Sequence, residues 1–239
     1  MTSQAPRKTE EDPRESTSAP VLVEIPELED PLVIVSGLPR SGTSLMMSLL
    51  AAGGHPILTD QLRTPDPDNP RGYFEYTPVR SLMRDNTWLS AHRGRAIKII
   101  STLLPFIPAD LPLKVICMQR HLPEVLASQA AMLSRAGKPQ PPDPSLLAAA
   151  FQKQITITEA FLAQRPLTRI LNIYHHRLLQ SPAGEIDRLM AFLPVLRNHL
   201  AMLGVIDPTL HRQRQMITTG LNSWTARHAS TGGGGRARE

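Results

Sequence analysis

The sequence is short of cysteine, of aromatic residues and of long apolar runs. Its only cysteine, Cys117, lies in the apolar run KVICM and cannot form an internal disulfide, which is typical of a reducing cytoplasm. Aromatic residues make up 4% of the chain, which is low for a surface that stacks nucleic-acid bases. No apolar run approaches the roughly 18 residues that span a bilayer, and the N-terminus has no apolar signal-peptide core. We therefore expect a cytoplasmic protein without a transmembrane segment and without a nucleic-acid partner.

Charge is distributed unevenly along the 239 residues. Residues 1–31 contain three Lys/Arg and eight Asp/Glu, whereas the whole chain has a net charge of +5, so the remainder carries +10. We expect the Pro-rich, acidic residues 1–30 to be disordered and residues 229–239, which include a run of glycines, to form a flexible tail. Residues 31–228 are long enough for one domain, and its basic charge favours an anionic ligand.

From Leu32 onward, short apolar runs alternate with helical patterns. The predicted strands are LVIV, AIKII, LKVICM and TRILNIY. The predicted helices cover 44–52, 78–92, 122–136, a segment from the Asp143–Pro144 cap to Gln164, and a segment that begins at Ser181–Pro182. This alternation predicts an α/β fold of three layers, P-loop-like, with a central parallel sheet of about five strands flanked by helices. Ligands of such sheets bind at the carboxyl ends of the strands.

The stretch VSGLPRSGTS joins the first predicted strand to the first helix. Gly37 and Gly42 have the spacing of a Walker A loop, and Ser44 stands at its final position, but Thr43 replaces the lysine. The positive charge lies inside the loop, at Arg40. Backbone N–H groups of such a turn, together with the N-terminus of the next helix, bind phosphate. Because LKVICM and LVIV end without a carboxylate for Mg²⁺, the loop predicts an anion held by cations and no metal.

The segment GLPRSGTSLM resembles the 5′-phosphosulfate loop of sulfotransferases that use 3′-phosphoadenosine-5′-phosphosulfate (PAPS), and the chain is most similar to the bacterial members. The resemblance implies that the 5′-phosphosulfate is held by Arg40, Ser41, Gly42, Thr43 and Ser44. An arginine that ends a strand and a serine eight residues later hold the 3′-phosphate in that family, and these positions match Arg120 and Ser128. Tyr174 matches the tyrosine that contacts adenine, although the family usually places acidic residues after it and this chain has histidines.

The resemblance also implies the catalytic groups. Sulfuryl transfer is an in-line displacement that needs a base on the acceptor hydroxyl and cations on the leaving oxygen. Arg40 stands beside that oxygen, and Lys98 is either a sulfuryl contact or a structural ion-pair partner. Many members have a histidine base where this chain has Leu103, in STLLP. Other members use a glutamate, and Glu75 in NPRGYFEY is then the candidate base, with His55 as the next choice.

Two further groups of basic residues are candidates for anion contacts. Arg212 and Arg214, in HRQRQ, resemble a tail segment of bacterial relatives that closes over the 3′-phosphate. The region 61–95 is rich in arginine, which either grips an anionic acceptor or forms a solvated helix face.

The sequence does not specify the acceptor or the oligomeric state. The expected acceptor is a hydroxyl on a small molecule, a carbohydrate or a lipid. The alternative functions are a P-loop nucleoside or nucleotide kinase and a non-catalytic nucleotide-binding protein.

Overall fold

The computed structural model describes residues 28–60, 62–66, 69, 71–141, 143–207 and 209. The segments predicted to be a disordered N-terminus and a flexible tail therefore lie almost wholly outside the described residues. The strands are β1 (Leu32–Gly37), β2 (Ile57–Leu58), β3 (Ala96–Lys98), β4 (Leu113–Gln119) and β5 (Thr168–Tyr174). They form a parallel sheet in the order β2-β3-β1-β4-β5, which confirms the predicted α/β fold with a five-stranded parallel sheet.

Helices cover both faces of the sheet. The α-helices are α1 (Thr43–Ala52), α2 (Leu122–Arg135), α3 (Pro144–Gln164), α4 (His175–Gln180), α5 (Pro182–Phe192) and α6 (His199–Val205). Three 3₁₀ helices lie at Thr77–Ser81, Thr87–His92 and Ser101–Phe106. None of the helices within the described residues combines the length with the apolar composition that a membrane span needs.

Alternate residues of the central strands point to opposite faces of the sheet. Val33 and Val35 of β1 point to the first face, where they pack against α1, α4, α5 and α6. Leu32 and Ile34 point to the second face, where they pack with α3 and the 3₁₀ helices. Because both faces are covered, β1 and β4 are buried at every position except the last, and their apolar residues form the runs LVIV and VICM.

The prediction of a helix over residues 78–92 is wrong. The segment forms two short 3₁₀ helices, Thr77–Ser81 and Thr87–His92. Asp85 interrupts them, because its Oδ1 accepts hydrogen bonds from the backbone N–H of Thr87 at 3.0 Å and from the Thr87 hydroxyl at 2.7 Å. Such an aspartate turn competes with helical hydrogen bonds and ends the helix.

The other helix boundaries agree closely with the sequence. Helix α3 begins at Pro144, with Asp143 as its N-cap accepting from the N–H of Ser145 at 2.8 Å, and it ends at Gln164 as predicted. Helix α5 begins at Pro182, also as predicted. Cys117 is buried, and burial raises the pKa of its thiol to about 12, so it is a neutral core residue.

The first-face core generates a stability prediction. Leu49 of α1 is fully buried in that core, whereas Leu200 of α6 is 80% exposed. We expect Leu49→Ala to lower the free energy of unfolding by about 2–5 kcal/mol, since it removes buried methyl groups and leaves a cavity. The matched change Leu200→Ala is expected to cost less than about 0.5 kcal/mol. Urea unfolding of both variants measures this, and equal losses would contradict the assignment of the core.

Candidate anion-binding site

The loop between β1 and α1 is pressed against the end of β4 and the start of α4. Gly37 has φ 152°, and a Cβ there would lie 2.8 Å from the carbonyl oxygen of Met118. Gly42 has φ 101°, and a Cβ there would lie 2.8 Å from Cδ2 of His175. Both positions therefore require glycine, for space as well as for backbone conformation. The spacing of these two glycines reflects how closely the loop approaches its neighbours.

Arg40 is the cation of this loop, and its backbone is left-handed, with φ 68°. Its guanidinium Nε donates to the hydroxyl of Ser128 on α2 at 3.0 Å. Its carbonyl oxygen accepts from Nη1 of Arg120 at 3.0 Å. The structure thus brings Arg40 together with Arg120 and Ser128, which follow it by 80 and 88 residues in the chain.

Arg120 follows β4 and is held rigidly. Its side chain is 9% exposed, and its Nε donates to Oε2 of Glu124 at 3.0 Å, one turn into α2. A buried guanidinium of this kind needs both charge compensation and hydrogen-bond acceptors. Glu124 supplies the first, and the carbonyl of Arg40 supplies an acceptor.

Lys98 ends β3 on the other side of the loop. Its Nζ donates to the carbonyl oxygen of Tyr73, lies 3.5 Å from the hydroxyl of Ser44 and lies 4.0 Å from Oε1 of Glu75. Burial lowers the pKa of Lys98, nearby Glu75 opposes this shift and Arg63 adds to it, and the net result is a pKa of about 8. Lys98 is therefore a largely buried amine next to the loop, with a pKa closer to neutrality than that of an ordinary lysine.

Glu75 is surrounded by cations. Its Oε1 lies 3.1 Å from Nη1 of Arg63, and its Oε2 lies 3.4 Å from Nη2 of Arg80. Arg63 stacks on the ring of Tyr73, with Cζ 3.3 Å from the ring centroid. The Tyr73 hydroxyl donates to Oδ2 of Asp66 at 2.6 Å, which fixes the ring. Glu75 is thus held at a defined position by the arginines of the 61–95 region.

These groups line one cavity of about 540 Å³ at the carboxyl edge of the sheet. Its cationic lining residues are Arg40, Arg63, Arg71, Arg80, Lys98, Arg120 and Arg135. Its carboxylates, among the residues that the structure describes, are Glu75 and Asp207. An excess of five positive charges in a concave site favours a multiply charged anion. No group of three or more His, Cys, Asp and Glu within the described ranges has a geometry that could hold a metal ion.

The predicted site residues divide between this cavity and other places. Gly42, Thr43, Ser44 and Ser128 line it together with the cations, whereas Ser41 and Tyr174 line a second cavity on the other side of the loop. Leu103, which stands where many sulfotransferases have a histidine, also lines the first cavity. His55 follows α1, where burial and then nearby Lys114 lower its pKa to about 4. Because Lys114 lies at the start of β4, His55 is at the opposite edge of the sheet from the cavity. Arg212 and Arg214 lie outside the described residues.

His175 and Arg135 are lining residues that the sequence did not single out. His175, which follows β5 and begins α4, lines the cavity next to Gly42, while Tyr174 beside it does not. Arg135, in the last turn of α2, also lines the cavity. The spacing of Ser128, Met132 and Arg135 places all three on one face of a helix, and this pattern is visible in the sequence.

This chain is similar to known proteins in its structure but not detectably in its sequence. No family model matches the chain, and no curated protein matches it either. Similar solved structures include the sulfotransferase domain from the curacin biosynthetic pathway, at 16% identity over 75% of this chain and 78% of that chain, with a TM-score of 0.48. Mouse sulfotransferase SULT7A1 complexed with PAP is 15% identical over 74% of this chain and 64% of that chain, with a TM-score of 0.49.

Two more solved structures are similar at lower TM-scores. Sulfotransferase STF9 from Mycobacterium avium is 15% identical over 74% of this chain and 67% of that chain, with a TM-score of 0.44. A sugar kinase from Janibacter sp. is 16% identical over 76% of this chain and 98% of that chain, with a TM-score of 0.36. Because each of these four TM-scores lies below 0.5, the function of this chain has to be inferred from its own residues.

The lowered pKa of Lys98 generates a pH prediction. Lys98 is charged below about pH 8 and loses its charge as the pH rises through that value, so it contributes to anion binding only on the acid side. Sulfate keeps two charges throughout this range and is the probe. We expect sulfate affinity to fall by about tenfold between pH 7 and pH 9.5, which is the loss of one nearby charge pair. Thermal shifts in sulfate against chloride at equal ionic strength measure it.

The control is Lys98→Arg, because an arginine stays protonated across this range. Its sulfate affinity should change little with pH. A decline as steep as that of the unmodified protein would show that another group titrates.

Proposed function

We propose that this protein is a PAPS-dependent sulfotransferase that moves a sulfuryl group from PAPS to an acceptor hydroxyl. The observation that supports this most directly is that Arg40 is hydrogen-bonded both to Ser128, through its Nε, and to Arg120, through its carbonyl oxygen. They come from the loop, the end of β4 and helix α2, and they lie in a cavity with a large excess of positive charge. A nucleotide with phosphate groups at two positions requires donors from separate elements that converge in this way.

The residues present fit PAPS in charge and in donor type. The loop from Gly37 to Ser44, with the N-terminus of α1 behind it, would hold the 5′-phosphosulfate through backbone N–H groups and Arg40. Arg120 and Ser128 would hold the 3′-phosphate. Arg40 and Ser128 already share a hydrogen bond, so both donors point toward the same space. Tyr174 remains a prediction for the adenine contact, and His175 is now a second candidate because it lines the cavity.

PAPS supplies the sulfuryl group, and this chain supplies a base and cations. The oxygen of the acceptor forms a new S–O bond while the S–O bond to the bridging phosphate oxygen breaks, and the acceptor proton goes to Glu75. Arg63 and Arg80 orient the Glu75 carboxylate through the contacts described above. Arg40 and Lys98 stabilise the negative charge that grows on the leaving oxygen, which is worth most in a cavity that excludes water. Arginine cannot donate a proton here, so its role is electrostatic.

The direct test combines binding with transfer. 3′-Phosphoadenosine-5′-phosphate (PAP), the expected product, should raise the melting temperature without magnesium, since a ligand that binds the folded state stabilises it by mass action. ATP with magnesium should raise it little. A screen with ³⁵S-labelled PAPS and an extract of hydroxyl-bearing metabolites then identifies the acceptor. A shift with ATP and magnesium alone would favour a kinase, and a shift with PAP but no transfer to any acceptor would favour a non-catalytic nucleotide-binding protein.

Two variants separate binding from chemistry. Ser128→Ala removes one donor to the 3′-phosphate, so we expect KM for PAPS to rise by about threefold to tenfold with little change in kcat. Glu75→Gln removes the base but keeps the shape of the side chain, so we expect kcat to fall by about a hundredfold or more with nearly unchanged affinity for PAP. Steady-state kinetics and calorimetry measure these quantities.

The matched control for Glu75→Gln is Asp110→Asn, which makes the same carboxyl-to-amide change at an exposed residue outside the cavity. It should leave both kcat and KM as they are. If Glu75→Gln keeps the kcat of the unmodified enzyme, the base is a different residue.

A further inference from the structure

The lining of the anion-binding cavity includes an apolar wall next to the proposed base. The residues of this apolar wall are Tyr76, Val79, Ile100 and Leu103. The first two follow Glu75 along the chain and the last two follow Lys98, so the wall adjoins the groups that the proposed reaction uses. Ile100 is 40% exposed. An apolar side chain that is open to a cavity favours a ligand whose own apolar surface covers it.

The apolar wall is supported from behind. The Tyr76 ring packs edge-on against Trp88, with ring centroids 5.5 Å apart, and against the ring of His92 at 5.9 Å. Val79 and Leu103 pack against the core of the second face. Because the wall is already packed, a ligand does not have to order it on binding, and that lowers the cost of association.

Two arginines share the carboxylate of Glu75. Each contact uses one Nη atom, that of Arg63 at 3.1 Å and that of Arg80 at 3.4 Å. The remaining N–H groups of the two guanidiniums make no other hydrogen bond among the residues that the structure describes. Their side chains are 45% and 75% exposed, so these donors are open to a ligand. Two guanidiniums with one carboxylate between them keep an excess positive charge, and guanidinium groups match the geometry of an acidic group.

This combination distinguishes between the classes of acceptor. A carbohydrate would place hydroxyl groups against the apolar wall, where they would lose their hydrogen bonds to water. A wholly apolar alcohol would suit the wall but would displace water from the arginine donors without offering them an acceptor. A molecule with an apolar body and an acidic group near its hydroxyl satisfies both the wall and the arginines.

We propose that the acceptor is a hydroxy acid with an apolar body, whose acidic group binds Arg63 and Arg80 while its body lies on the apolar wall. The inference rests on the proposed function for the transfer step. The acceptor oxygen forms the new S–O bond, PAP leaves, and the hydroxyl proton goes to Glu75. The acidic group stays ionised and is not consumed. Because both guanidiniums contact the Glu75 carboxylate, the hydroxyl and the acidic group of the acceptor lie close together.

The test compares 3-hydroxyphenylacetate with 3-hydroxyphenylacetamide, which has the same ring and the same phenolic hydroxyl but no charge. With PAPS as donor, we expect kcat/KM for the acid to exceed that for the amide by about tenfold or more, as for a hydrogen bond between charged groups. Glucose, a neutral polyol, should be about a hundredfold poorer than the acid. Equal values for the acid and the amide, or a higher value for glucose, would overturn the inference.

A separate binding measurement distinguishes failure of this inference from failure of the proposed function. Saturation-transfer NMR on the full chain, with and without PAP, should give a Kd for the acid that is lower than that for the amide by about fivefold or more. Transfer to both compounds without this preference would keep the sulfotransferase and overturn the hydroxy acid. Preferential binding of the acid without any transfer from PAPS would support the hydroxy-acid site and contradict the sulfotransferase. Failure of both compounds to bind would overturn the inference.

A matched pair of arginine variants locates the acidic group. Arg80→Gln should reduce the preference for the acid over the amide to about threefold or less, with unchanged affinity for PAP. Since Arg80 also orients Glu75, the informative quantity is the ratio of the two kcat/KM values rather than either value alone. Arg84→Gln is the control, because Arg84 is exposed and lies outside the cavity lining. An undiminished preference in Arg80→Gln, or a loss of PAP affinity, would contradict the place assigned to the acidic group.

A second pair tests the apolar wall. Ile100→Ser should weaken binding of both compounds by about threefold or more, since it removes apolar surface that the ring covers. Ile157→Ser is the control, because Ile157 is similarly exposed, at 45%, but lies on α3 and outside the cavity lining. Equal effects of the two changes would show that the body of the acceptor does not lie on the wall.

Discussion

The hydrogen bond from Arg120 to the carbonyl of Arg40 joins the parts of the anion site. Arg120 is anchored to α2 through Glu124, so a single guanidinium links the loop to that helix. A collection of seven cations repels itself, and the fold offsets part of this with carbonyl oxygens and with a small number of carboxylates. The carbonyls of Arg40 and Tyr73 neutralise no charge but satisfy N–H donors. The net positive charge therefore remains available for an anion.

Much of the fold could be predicted because its determinants are local. The buried strands β1 and β4 are continuous apolar runs, and α3 has an aspartate cap followed by proline. The sequence of segment 78–92 predicts one helix because its apolar and polar residues have helical spacing. The contact between Asp85 and Thr87 divides the segment instead into two 3₁₀ helices. Composition over a window does not register one side-chain hydrogen bond.

The site was predictable to the extent that motifs carry it. Arg40, Arg120 and Ser128 follow from short patterns, and the structure brings them together. That His175 rather than Tyr174 lines the anion-binding cavity did not follow from the sequence, because it depends on how the chain turns as β5 passes directly into α4. Likewise, the ion pairs of Glu75 with Arg63 and Arg80 join residues 12 and 5 positions apart, and no short motif specifies them.

The left-handed backbone of Arg40 lowers local stability, whereas its side chain supplies the positive charge of the loop. A residue with a Cβ in that conformation costs about 1–2 kcal/mol relative to its relaxed form, and glycine would avoid the cost. The two glycines of the loop, Gly37 and Gly42, nevertheless flank this position, and the position itself is an arginine. The loop is thus held away from its own conformational minimum by its surroundings. A glycine at this position would keep the turn without strain, but the loop would lose its positive charge. A strained arginine here therefore indicates that the loop has a binding role in addition to joining β1 to α1.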